Sequence, residues 1–106
     1  MIVGLDHAFL TIPEGAEDEA RQFYGNALGL EEIGRPDGLR ESGGVWFGVG
    51  GQALHLGTDD SHAATKRPHP GFRDDSVTTL EELARRLEDA GNEVAWDTRI
   101  EGRRRF

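Results

Sequence analysis

The chain has 106 residues, 36% of them hydrophobic and 30% charged, with 12 basic against 20 acidic side chains for a net charge of −8. That length suffices for one domain core and not for two independent ones, and the acidic balance excludes an electrostatic nucleic-acid surface, since Arg103-Arg104-Arg105 is the lone basic run. With no cysteine there is no disulfide, thiolate metal site or cysteine nucleophile, so any metal chemistry falls to His, Asp and Glu.

The longest apolar runs, Val45-Trp46-Phe47 and Val94-Ala95-Trp96, fall far short of the ~20 residues of a membrane-spanning helix. Met1-Ile2-Val3-Gly4 leads directly into a strand-like pattern without a basic n-region. These features predict a cytoplasmic protein without membrane contact.

Residues 5–12 alternate as a strand, with Leu5, His7, Phe9 and Thr11 on one face and Ala8, Leu10 and Ile12 on the other. Pro13-Glu14-Gly15 ends it. Ala16, Ala20, Phe23, Tyr24, Ala27 and Leu28 then recur at helical spacing behind the acids Glu17, Asp18 and Glu19, and Gly29 closes the helix. Residues 30–35, 45–49 and 52–56 read as three more strands, broken by Pro36-Asp37-Gly38 and Gly50-Gly51. Arg40 and Glu41 sit on a Gly-rich rim between them. Residues 58–68 carry turn formers and read as a linker, in which His62 is expected to be solvated.

A further short strand is expected from His69 to Arg73. It leads to a helix with the stripe Leu80, Leu83, Ala84, Leu87 and Ala90, a capping box at Thr79-Leu80-Glu81-Glu82 and a stop at Gly91. Residues 93–98 read as a strand, and Arg103-Arg104-Arg105-Phe106 as the start of another. The second half repeats the first: His7 and His69, Leu10 and Phe72, and Gly29 and Gly91 are each 62 residues apart. At that offset the counterpart of His55 falls at position 117, beyond Phe106, so the second copy is expected to be incomplete and to leave a sheet edge open.

The segments Leu5-Asp6-His7-Ala8-Phe9-Leu10, Phe23-Tyr24-Gly25-Asn26-Ala27-Leu28-Gly29-Leu30, Gln52-Ala53-Leu54-His55-Leu56 and His69-Pro70-Gly71-Phe72 resemble, in order and spacing, the vicinal-oxygen-chelate superfamily of glyoxalases, bleomycin-resistance proteins and extradiol dioxygenases. The Phe-Tyr-x-x-x-Leu-Gly-Leu run is the most specific of them. The second helix lacks that run, and Asp74-Asp75-Ser76 stands where the family commonly has Val-Asp-Asp.

The resemblance implies an α+β fold of paired βαβββ modules whose curved mixed sheet encloses a concave cleft, the second module being incomplete at the C-terminus. It implies one domain over residues 1–106, with module one at 1–57, a linker at 58–68 and partial module two at 69–106. It also implies a divalent metal, Zn, Ni, Mn or Fe, with His7, His55 and His69 as ligands and a fourth ligand near position 117. Such an ion keeps coordination positions open for two neighbouring substrate oxygens and acts on them as a Lewis acid.

Each residue also has a plainer reading. His55, between Leu54 and Leu56, suits a buried strand histidine, and His69 beside Pro70 suits an exposed strand opening. Trp46, Phe47 and Trp96 suit either the core or the wall of a substrate pocket, and they are the substrate-binding candidates.

The functional expectation is a metal-dependent lyase, isomerase or dioxygenase acting on a small substrate with vicinal oxygens, its general base unassigned. The alternative is a metal-free, bleomycin-resistance-like protein that sequesters a drug or metabolite, for which the acidic chain would favour cationic ligands. A homodimer is expected in either case, and a partner that completes the open sheet is a third possibility.

Overall fold

The computed structural model describes residues 1–75 and 77–106. They gather into two compact units, Met1–Pro70 and Gly71–Phe106.

In the first unit, strand β1 (His7–Ile12) is followed by helix α1 (Glu17–Ala20), which continues as a π-helical segment (Arg21–Ala27). Strand β2 (Glu31–Ile33), a 3₁₀ turn (Asp37–Leu39) and strands β3 (Gly44–Val49) and β4 (Gln52–Thr58) complete it. The order is the predicted strand, helix and three strands. Glu17, Asp18 and Glu19 occupy the first turn of α1, where their charge complements the partial positive charge of the unpaired backbone N–H groups. The helix then widens, with the Leu28 N–H donating to the Phe23 carbonyl five residues back at 2.9 Å. It closes where Gly29 adopts φ +76° and the Leu30 N–H reaches the Tyr24 carbonyl at 2.9 Å. That left-handed stop is inexpensive only for a residue without Cβ.

The sheet runs β1-β4-β3-β2. β3 is antiparallel to both β2 and β4, while β4 lies parallel to β1. Strands β3 and β4 form a hairpin across Gly50-Gly51, with Val49 opposite Gln52. The parallel pairing requires the long excursion through α1, β2 and β3, which returns the chain beside its first strand.

One sheet face is dry. Val45, Phe47, Leu54 and Leu56 are each at most 1% exposed and cluster with Ala20, and Leu10, Ile12, Tyr24, Leu30 and Val49 pack against them. The Tyr24 ring lies 5.7 Å from that of Phe47. Because side chains alternate along a strand, the same registers send His7, Phe9, Thr11, Trp46 and His55 to the opposite, open face.

In the second unit, helix α2 (Val77–Asp89) buries Ala84 and Leu87 of the predicted stripe. It ends as foreseen at Gly91, with φ +89°, and the Asn92 N–H bonds to the Leu87 carbonyl at 2.9 Å. Its start differs from expectation. Residues 77 and 78 are already helical, so Thr79 lies inside the first turn instead of capping it. Of the triplet Asp74-Asp75-Ser76, Ser76 lies outside the described residues.

No strand forms over residues 69–73 or 93–98. An isolated bridge between Asp97 and Arg105 is the β-pairing in this unit among the described residues. Pro70 has no N–H to give a ladder and Gly71 has no side chain to pack, so the first of these segments is a weak strand former. In the bridge the Asp97 N–H donates to the Arg105 carbonyl at 2.9 Å, and the Asp97 carboxylate accepts from Arg105 at 2.8 Å and from the nearby Arg99 at 2.6 Å. Among the described residues no helix is long and apolar enough to cross a membrane.

Candidate functional site

The open face of the sheet is organised around His55. Register places it directly opposite Trp46 on antiparallel β3 and opposite Phe9 on parallel β1. The Trp46 indole stacks on the His55 imidazole with ring centroids 3.5 Å apart and planes 7° from parallel. From the other side, where β1 lies, the His7 ring stacks at 4.1 Å and 18°.

Phe9 does not compete for that position, because its ring folds over Gly57, where any Cβ would sit only 2.6 Å from Phe9 Cζ. The glycine thus makes room for Phe9, and the displaced Phe9 leaves His55 to His7.

The two imidazoles differ electrostatically. His7 Nδ1 lies 2.9 Å from Asp6 Oδ2. A carboxylate only accepts, so the imidazole donates from Nδ1, and among the described residues nothing hydrogen-bonds its Nε2. His55 is held below the ordinary histidine pKa, mainly by burial and next by the neighbouring His7 charge, with Asp6 opposing. Its neutral, ligating form is therefore favoured at neutral pH.

The site is half open, His7 keeping 43% of its side-chain exposure. Trp46 also lines a cavity of about 410 Å³ whose rim includes Arg40 and Glu41. Arg35 ties that rim together, donating to the carbonyls of Arg40 and Ser42.

As a donor set, a neutral imidazole and one oriented by a carboxylate suit a divalent ion. Imidazole lone pairs lie in the ring plane, however, and these planes are 18° from parallel, so sharing one ion would require one ring to turn out of the stack. Among the described residues, no group of three His, Asp or Glu side chains is arranged to hold a metal. The chain thus assembles two nitrogen donors, and they fit half of a metal site.

The other sequence candidates lie elsewhere. His69 is exposed, and its Nδ1 donates to the Arg67 carbonyl at 2.6 Å. Phe47 is fully buried in the core, on the sheet face opposite Trp46, because adjacent strand residues must point apart. Trp96 belongs to the second unit, where it meets Phe106 edge-on at 5.1 Å and the Arg104 guanidinium at 5.1 Å.

His62 differs from the expected solvated residue. It is half buried, with Nδ1 2.7 Å from Thr11 Oγ1 on the open-face side of β1. Nothing in the periodicity of the linker announces that contact.

Residues 4–104 match the family model described as the Glyoxalase/Bleomycin resistance protein/Dioxygenase superfamily. A crystal structure of a glyoxalase-family protein from Bacillus anthracis is 39% identical, with a TM-score of 0.86 over 95% of this chain and 80% of that one. A mutant of the fosfomycin resistance protein FosX from Listeria monocytogenes, solved with Mn(II) and 1S,2S-dihydroxypropylphosphonic acid, is 23% identical with a TM-score of 0.69, covering 94% of this chain and 79% of that one. Lactoylglutathione lyase from Agrobacterium tumefaciens is 23% identical with a TM-score of 0.67, covering 92% and 77%.

The last two likenesses speak to fold alone. No curated protein matches this chain. The matched span, the 39% identity and the βαβββ unit agree, and the chain belongs to the Glyoxalase/Bleomycin resistance protein/Dioxygenase superfamily.

Proposed function

We propose that the protein is a divalent-metal-dependent enzyme acting on a small substrate with two neighbouring oxygens, with His7 and His55 as the ligands from β1 and β4. The observation that carries this reading is the meeting of these two imidazoles on the open sheet face, 4.1 Å apart. One is set by Asp6 to present Nε2 and the other is held toward its neutral form. His69 is the proposed third nitrogen donor. A structural neighbour solved with Mn(II) and 1S,2S-dihydroxypropylphosphonic acid supports both the metal and the substrate class.

When bound, the ion would supply Lewis acidity toward a coordinated substrate oxygen. The chain's own contribution is positional. Asp6 keeps the His7 proton on Nδ1, Trp46 and Phe9 give the face an aromatic wall, and the half-open site admits a small molecule. We also propose a homodimer, a reading supported by the position of β1 at the edge of the sheet.

The test is elemental analysis of protein loaded separately with Zn, Ni, Mn or Fe and desalted. About one ion per chain is expected, falling sharply in His55→Ala. Absence of stoichiometric metal in all four preparations overturns the reading and leaves a metal-free binder of a drug or metabolite.

A further inference from the structure

We infer that Trp46 is a positioning residue that fixes the plane of the His55 ring while His7 stays free to turn. The inference rests on the two-histidine reading above for its consequence, though not for its geometry.

Among the described residues nothing hydrogen-bonds the His55 imidazole, so its orientation depends on what lies against its two faces. The indole is the closer and flatter of these contacts, at 3.5 Å and 7° against 4.1 Å and 18° for His7. The two contacts also differ in rigidity. Trp46 and His55 are a directly opposed pair within the β3–β4 ladder, whose backbone hydrogen bonds set their spacing. His7 lies at the start of edge strand β1, and among the described residues its one polar tether is Asp6, a side chain 96% exposed.

If His7 and His55 are to share an ion, one ring must leave the stack, because their in-plane lone pairs are nearly parallel. The contacts select His7. Once it turns, Trp46 still lies against His55, and it keeps the imidazole from rotating about its own side-chain bonds. Trp46 thus supplies for His55 what Asp6 supplies for His7: a fixed direction for the free nitrogen, obtained through a π-face instead of a hydrogen bond.

The test compares Trp46→Phe, which keeps a flat ring, with Trp46→Leu, which keeps apolar bulk without one. In metal-free protein, the His55 ring protons should resonate upfield of those of exposed His69, through the ring current of the stack. They should move toward His69 values in Trp46→Leu and stay largely in place in Trp46→Phe. Mn(II) titrated calorimetrically should bind about tenfold more weakly to Trp46→Leu, the low end of the range seen when the outer partners of metal ligands are lost, and close to wild type to Trp46→Phe.

The inference is overturned if the His55 ring protons match those of His69 in the wild type. It is also overturned if Trp46→Leu leaves those resonances unmoved, or if both variants bind Mn(II) as wild type does. Failure of wild-type protein to bind Mn(II) would instead count against the metal reading, and the ring-proton shifts would still decide the role of Trp46. Should Trp46→Leu fail to fold, the wild-type and Trp46→Phe spectra decide it alone.

Discussion

Trp46 and Phe47 are neighbours in sequence that point to opposite faces of β3, so truncating each should destabilise the protein to very different extents. Phe47 is fully buried and packs against Tyr24 at 5.7 Å. Replacing a core phenylalanine by alanine costs about 3–5 kcal/mol in lost transfer energy and cavity. A domain commonly holds only about 5–15 kcal/mol in total, so Phe47→Ala should remove about a fifth of the stability or more.

Taking ~1.5 kcal/mol/M for urea, within the usual range, the midpoint should fall by about 2–3 M. Trp46→Ala acts at a partly buried position on the open face, where it forfeits a stacking contact worth about 0.5–1.5 kcal/mol together with part of the apolar burial of the ring but opens no cavity in the core, so its midpoint should fall by less than that of Phe47→Ala. Urea titration followed by far-UV circular dichroism reads both without relying on tryptophan fluorescence. Equal losses, or a larger loss for Trp46→Ala, would refute the assignment of the two faces.

Burial and His7 hold His55 below the ordinary histidine pKa of about 6.5, so beneath that value the unfolded chain binds protons more readily than the folded one. Melting temperature should be level above pH ~6.5 and decline as pH falls through the window below it; His55→Gln should flatten the decline, and an unchanged curve would contradict the shift. Asp97 is held below the usual carboxylate range, chiefly by its hydrogen bonds with Arg99 and then by the Arg105 charge. Its contribution should be complete above pH ~3.9 and lost on further acidification, so an acid melting profile that Asp97→Asn leaves unaltered would exclude it.

Gly57→Ala would place a Cβ 2.6 Å from the tip of the Phe9 ring, which is 60% exposed and able to yield. A loss of about 1 kcal/mol is expected, largely recovered in Gly57→Ala/Phe9→Ala, and simple additivity of the two losses would rule out the contact.

The alternation of residues 5–12, the acids opening α1 and the glycines at 29 and 91 announced β1, α1 and both helix ends, because each signal is local. The pairing of His7 with His55 was visible only through resemblance, since nothing in the spacing of two residues 48 apart says that β4 returns beside β1. Phe47 illustrates a different limit. Val45-Trp46-Phe47 is apolar throughout, so composition offered both aromatics to the pocket and the strand period alone separated them. The stack itself, and the contact of His62 with Thr11, depend on side-chain torsions that no periodic pattern encodes. In the second half the helix was legible from its stripe, whereas the flanking segments read as strands on propensity without the neighbour that a ladder requires.

X-ray absorption at the metal edge of Mn- or Zn-loaded protein would test the central claim most directly, because imidazole ligands give a distinctive outer-shell scattering. The two-histidine site predicts at least two imidazoles in the wild-type spectrum, with one fewer in His7→Ala and in His55→Ala. A spectrum of oxygen ligands alone, or one that neither substitution changes, would contradict it.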